Sequence, residues 1–282
     1  MRGDVLVLGA YGRLGRILRC YWTEGAAAWQ SRSAAPGYLS FDPLASPSEL
    51  QQAAQGRRAI LCLAGVTPAE AARSGAPMRR NIDVARAAIA AAGAAGVPRV
   101  LLASSAAVYG QAAGLLEETR DCDPVSDYGK SKLEMERLGT ELGADLGVEV
   151  CSLRIGNVAG ADVILGGWRD GFALDTLPDG TTPRRSYIGP NSLARAVHGL
   201  LDAPRLPEAV NVAAPGAVEM GALLDAAGLG WQPRAAGPEV IAEVALATAR
   251  LAQHIVLAAD AGTPEGLVSE WQDYRNRTRH EI

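Results

Sequence analysis

The chain has 282 residues, 48% of them apolar and 21% charged, with a formal net charge of −4. This length buries a sizeable core, as one large domain or one domain with a small appendage, and the weak negative charge argues against general attraction to nucleic acid or to an anionic membrane. Four scattered cysteines (Cys20, Cys62, Cys122, Cys151) without CxxC spacing and three distant histidines (His198, His254, His280) offer no metal-site pattern and point to a reduced, cytoplasmic compartment.

In chain order, "DVLVLG" (4–9) reads as a strand rather than a signal peptide, because the apolar run is too short and no cleavage site follows. A helix follows near 13–24, then strands "AAAWQS" (26–31) and "YLSF" (38–41). "AILCLAG" (59–65) is a strand, and "MRRNIDVARAAIAAAGAAG" (78–96) a long helix stopped by glycine and Pro98. "RVLLASS" (99–105) is the next strand. Residues 128–147 form a helix that Ser126 or Asp127 can cap, with Lys130, Lys132, Glu134, Glu136 and Arg137 suited to an exposed face. "EVCSLRIGN" (149–157) is a strand, 159–186 is irregular, 191–204 is a helix and 209–214 a strand. The remainder, 215–282, reads as mostly helical, and its most apolar stretch, 240–262, as a buried or amphipathic helix rather than a membrane span.

This alternation predicts an α/β fold, a Rossmann-type doubly wound parallel sheet with helices on both faces. The predicted nucleotide-binding domain covers 1–160 and 187–214. A small, mostly helical substrate lobe covers 161–186 and 215–282.

Gly9, Gly12 and Gly15 follow the first strand and open the first helix. A plain tight turn would also use glycine, but three at this spacing suit a pyrophosphate held against main-chain N–H groups at a helix start. Tyr11, Arg13 and Leu14, on the same loop, join them as cofactor contacts. A P-loop is excluded, because "GKS" at 129–131 would need glycine at 124, where Pro124 sits. At the end of the second strand no carboxylate is present to meet a ribose 2′-hydroxyl. Ser31, Arg32 and Ser33 there suit a 2′-phosphate, so NADP is expected ahead of NAD.

Glycine spacing GxxGxxG, together with "SSAAVYG", "YGKSK" and "LRIGNVAG", resembles the extended short-chain dehydrogenase/reductase superfamily, including its nucleotide-sugar epimerases, dehydratases and reductases. The resemblance covers residues 5–160. It implies Ser105 as catalytic serine, Tyr128 as acid/base and Lys132 as its partner. Tyrosine titrates near pH ~10, so proton transfer at neutral pH asks for a fall of about three units, or roughly 4 kcal/mol. One positive charge ~4 Å away supplies about that much at an effective dielectric near 20. Lys132, one helical turn along, is expected to provide part of it.

The resemblance also implies cofactor contacts at Asp42, Ala64, Gly65, Asn81 and Ser104, and substrate contacts at Ala106, Asn157 and Arg185. Loop capping is the simpler role for Asp42, helix capping for Asn81, backbone support for Asn157 and solvation for Arg185. Ala106 and Ala107 stand where family dehydratases carry acidic residues, which argues against a 4,6-dehydratase, and "YIGPNSLA" lacks the family's usual acidic residue before its helix. The implied activity is hydride transfer at a hydroxyl/ketone carbon, with a nucleotide-sugar as leading substrate class. A small ketone or aldehyde reductase, or a sugar dehydrogenase, is one alternative, and an NADP(H)-sensing regulator without turnover is another. The helices at 78–96 and 128–147 are expected to form a homodimer.

Overall fold

The computed structural model describes residues 4–279; His280 and the first three residues lie outside this range. The chain divides into two compact units. Residues up to 110, 122–154 and 203–210 form the first, while 111–121, 155–202 and the remainder form the second. The stretches 111–121, 155–160, 187–202 and 211–214, expected in the nucleotide-binding domain, fall in the second.

The first unit opens with β1 (Val5–Leu8), α1 (Arg13–Tyr21), β2 (Ala27–Ser31), β3 (Leu39–Ser40) and α2 (Pro47–Ala54). It continues with β4 (Ala59–Cys62), α3 (Pro68–Ser74), α4 (Arg80–Ala95) and β5 (Arg99–Ser105). A 3-10 turn covers Ala106–Tyr109, and β6 (Leu115–Leu116) follows in the second unit. The chain then runs through α5 (Asp127–Leu146) and β7 (Glu149–Ile155). Further on come β8 (Asn157–Val158), β9 (Ala173–Thr176), β10 (Arg184–Arg185), β11 (Tyr187–Ile188) and α6 (Pro190–Leu201). The last elements are β12 (Ala209–Val212), β13 (Val218–Glu219), α7 (Met220–Ala226), β14 (Gln232–Ala235), β15 (Glu243–Leu246) and α8 (Pro264–Thr278).

Seven strands form the central sheet in the order β12-β7-β5-β4-β1-β2-β3. β1 is parallel to both β2 and β4, with Val5 opposite Ala27 on one side and Ala59 on the other. The chain steps one way from β1 through α1 to β2, then returns through α2 to β4 on the other side of β1 and continues through α4 to β5. Right-handed crossovers then place helices on opposite faces, and a crevice opens past the ends of β1 and β4.

One face carries a core of Leu6, Leu8, Ile60 and Leu102 against Ala85, Ala88, Ile89 and Ala92 of α4 and Met135 of α5. Small residues set the helix-to-sheet distance. A Cβ at Gly143 of α5 would lie 2.6 Å from Val150 Cγ2. Ser126 caps α5 by accepting from Gly129 N–H at 3.1 Å, and glycines 96 and 147 end α4 and α5 in left-handed conformation.

Several boundaries differ from expectation. The first helix stops at Tyr21, because Trp22 is extended. Helices α2 and α3 were not expected; each starts on proline at its first position, and Thr67 caps α3. Residues 240–262 are not a helix but hold β15 and a short 3-10 turn. β15 lies parallel to β10, and β10 is antiparallel to β13. The region expected to be irregular, 159–186, contains β9, paired with β14, and β10.

The second unit has its own core of Ile164, Leu174, Tyr187, Leu223, Leu267 and Trp271. α6 lacks a capping side chain at its start. Glu270 of α8 takes that role, accepting from Ser192 N–H at 2.8 Å and Ser192 Oγ at 2.5 Å. Among the described residues no helix is long and apolar enough to cross a membrane.

Candidate active site

The glycine loop has the geometry its spacing implied. Gly9 adopts φ +74°, and a Cβ there would meet the Ala64 backbone at 2.6 Å. A Cβ at Gly15 would lie 2.2 Å from Ala10 O, so glycine alone lets α1 close on β1. Gly12 caps α1 with extended backbone and no capping side chain, which leaves first-turn amides for an anion. This cradle fits a dinucleotide pyrophosphate. Gln30 of β2, missed in the sequence, holds the loop: Gly9 N–H donates to its Oε1 at 2.9 Å, and its Nε2 donates to Phe41 O. A buried glutamine at a strand end carries no signal of that role in sequence alone.

Tyr11 is half exposed, edge-on to Tyr38 at 5.5 Å. Arg32 is exposed just beyond β2, with Ser33 N–H bonded to Ser31 Oγ at 3.0 Å. Asp42 caps its loop through Leu44 N–H at 2.9 Å and pairs with Arg80 at 2.7 Å. These bonds hold its carboxyl below the usual range, against the opposing push of burial.

Ala64 and Gly65 follow β4. A Cβ at Gly65 would lie 2.4 Å from Asn81 Oδ1 and 3.5 Å from Lys132 Nζ. Asn81 is a clamp rather than a helix cap. It accepts from Val66 N–H at 2.8 Å, donates to Val66 O at 3.1 Å, and donates to Ser131 Oγ at 3.0 Å. The loop after β4 is thereby tied to the first turns of α5.

The Ser105 hydroxyl accepts from Ala107 N–H at 3.2 Å, and its side chain favours the Tyr128 phenolate against the upward push of burial. Lys132 is 5% exposed, donates to Ala103 O at 2.7 Å, and lies 5.7 Å from the Tyr128 ring centre. The expected exposed face of α5 fails at two of its five positions: Lys130, Glu134 and Arg137 are exposed, whereas Lys132 and Glu136 are buried.

The charges also differ from expectation. Burial pushes the Lys132 ammonium down to about 8, with the thiol of Cys62 and Glu136 working against that fall. Burial raises Tyr128, opposed by the Ser105 hydrogen bond and the Arg13 charge. Arg13, at the start of α1, is the cation that favours the phenolate, and its field on Tyr128 ties the glycine loop to the α5 site.

Ser104 is a correction. Its hydroxyl donates to Glu136 Oε1 and is 4% exposed, so it does not face a cofactor. Arg154 grips the same carboxylate, with Nη2 to Oε2 at 2.8 Å, and donates from Nη1 to Tyr109 OH at 3.0 Å. A buried carboxylate needs such donors, and the nearest strand hydroxyl is committed to it. Ala106 opens the 3-10 turn after Ser105.

The remaining two positions belong to the second unit. Asn157 pairs in register with Tyr187, whose hydroxyl donates to Asp162 at 3.0 Å. Arg185 donates to its neighbour's carbonyl, Arg184 O, at 2.7 Å, and burial lowers its pKa.

Comparison with known proteins agrees with this geometry. The UDP-glucose 4-epimerase of Azospirillum brasilense is 41% identical over 69 residues, spanning 24% of this chain and only 20% of that protein. Among solved structures, MoeE5 in complex with UDP-glucuronic acid and NAD superposes with a TM-score of 0.77 at 22% identity, covering 99% of this chain and 100% of that one. The UDP-glucose 4-epimerase of Thermus thermophilus in complex with NAD gives 0.73 at 20% identity, covering 96% and 99%. These two structures share the fold. The model of the "NAD dependent epimerase/dehydratase family" matches residues 5–213, so the chain belongs to that family.

Proposed function

We propose that the protein is a nicotinamide-dependent epimerase or oxidoreductase acting at a hydroxyl/ketone carbon of a nucleotide-activated sugar. One observation carries this reading: Tyr128 and Lys132 stand one turn apart on α5, with Lys132 Nζ 5.7 Å from the Tyr128 ring centre, and Ser105 at the end of β5 and Arg13 of the glycine loop both favour the phenolate. When bound, the dinucleotide supplies and accepts hydride. Gly9, Gly12 and the start of α1 hold its pyrophosphate, and Ala64 and Gly65 leave it room. Ser105 holds the substrate oxygen, and Tyr128 moves the proton at that same oxygen. Lys132, bonded to Ala103 O, fixes the α5 turn that carries Tyr128. Asn157 and Arg185 are proposed as substrate contacts, and α4 and α5 as a homodimer face.

NAD is the form named with the solved relatives, and it is the first cofactor to test. A second reading, NADP, rests on Ser31, Arg32 and Ser33, where no carboxylate is present to meet a 2′-hydroxyl. The test of function incubates the protein with NAD and a panel of UDP- and dTDP-sugars, following isomers by NMR. An epimer or oxidised sugar that disappears in Tyr128→Phe supports the proposal. Turnover that survives in Tyr128→Phe, or turnover of small ketones alone, overturns it.

A further inference from the structure

Tyr128, Lys132 and Glu136 lie at successive four-residue steps along one side of α5. Each answers to one of three consecutive residues at the end of β5. Lys132 bonds Ala103 O at 2.7 Å, Glu136 accepts from Ser104 Oγ, and the Ser105 side chain favours the Tyr128 phenolate. Only Glu136 is also anchored from the far side. Arg154 of β7 holds it through Nε at 3.2 and 3.1 Å and through Nη2 at 2.8 Å, while Tyr109 of the turn after Ser105 takes the remaining arm of the guanidinium. Glu136 and Arg154 are 6% and 7% exposed.

We propose that Glu136, gripped by Arg154, is a positioning residue for the reaction of this site, setting the register of α5 on β5 that brings Tyr128 to Ser105 and seats Lys132 beneath it. The proposal rests on the reading of Ser105, Tyr128 and Lys132 given above. A mere packing pair would not need this placement. The same carboxylate, carried on the helix of the tyrosine, touches the strand beside the catalytic serine and, through Arg154, the turn that follows it. Its charge also reaches Lys132, one turn back. The groups facing Lys132 are Glu136 and Tyr128 on α5, Cys62 at the end of β4, and Asn81 of α4, reached through Gly65. Glu136 is the one carboxylate among them, and removing its charge leaves burial of the ammonium less opposed.

The test needs neither substrate nor cofactor for its first reading. Lysine carrying 13C at Cε is followed by NMR across pH in the full chain, with Lys132→Met to assign the signal. In Glu136→Gln the Lys132 midpoint should fall by about one pH unit, and Glu136→Asp should restore part of it. Glu136→Gln leaves Arg154 buried without its partner and can fail to fold. Glu136→Gln with Arg154→Met removes both charges and is measured alongside, and the midpoint should fall in it too. A folded double variant with the wild-type midpoint overturns the proposal. The second reading is turnover on whichever UDP-sugar the wild type converts, per cofactor-loaded site. It should drop at least tenfold with cofactor Kd within about threefold. A wild type that converts none defeats the functional reading and leaves the NMR result standing. A drop in melting temperature with unchanged midpoint and unchanged turnover would make Glu136 a packing residue only.

Discussion

Lys132 donates its ammonium proton to the main-chain carbonyl of Ala103, 2.7 Å away, and not to the Tyr128 hydroxyl. The lysine therefore belongs first to the strand. With burial pushing it down to about 8, proton loss from Lys132 should break this tie in the alkaline range. Turnover is expected to fall as pH rises through about 8, measured as the pH profile of kcat. The sign for stability is opposite. The unfolded chain holds the lysine proton to a higher pH than the folded one, so stability of the free protein rises with pH from about 8 until, above about 9, the Cys62 thiol, pushed up to about 11 by burial, works in the opposite direction. Urea midpoints that fall between about 8 and about 9 would contradict the buried-ammonium picture.

Tyr128→Phe should cut turnover by about 10²–10⁴-fold while leaving cofactor affinity within a few-fold. Because burial raises the phenol, ultraviolet difference titration of the free protein should place Tyr128 above the ordinary tyrosine range. Oxidised cofactor, which brings a positive charge, should move it down relative to reduced cofactor. Identical curves with both would leave the phenol without its expected activator.

Gly15→Ala and Gly12→Ala separate folding from cofactor binding. A methyl at Gly15 runs into Ala10 O at 2.2 Å, whereas at Gly12 its nearest neighbour is Gly9 O at 3.2 Å. Gly15→Ala should cost about 2 kcal/mol or more by chemical denaturation. Gly12→Ala should fold with a loss under about 1 kcal/mol and weaken dinucleotide binding, read by fluorescence.

Asn81→Ala removes three bonds between the loop after β4 and α5. Stranding the Val66 N–H should cost about 1–3 kcal/mol, and cofactor affinity should fall with it. An affinity equal to wild type would show that the loop keeps its shape unaided.

Arg32→Glu decides the nucleotide question. If the exposed arginine meets a 2′-phosphate, the ratio of NADPH to NADH affinity should drop at least tenfold, as expected for loss of a charge-assisted contact. Equal ratios in wild type and variant would assign Arg32 to solvent and leave NAD as the cofactor.

Fold and site were legible in the sequence to different depths. The glycine loop, the strand ending at Ser105 and the helix opening after Ser126 are each announced by local chemistry: glycine spacing, β-branched runs and a capping serine. Elements that depend on distant partners were not. β15 lies in an alanine-rich apolar stretch that has no strand period of its own, and it takes its conformation from β10 and β6. Lys132 and Glu136 read as solvent-facing because a long charged side chain is buried only when something far along the chain meets it, here Ala103 O and Arg154. Asn81 showed its place but not its task, since a clamp on Val66 and Ser131 requires the folded loop.

The carboxylate at the start of α6 comes, in this chain, from Glu270 near the far end of the polypeptide. Position-by-position reading of "YIGPNSLA" finds a gap there that three-dimensional space has already filled. The two segments therefore depend on one another: a protein shortened ahead of α8 would leave the amide at Ser192 without this acceptor.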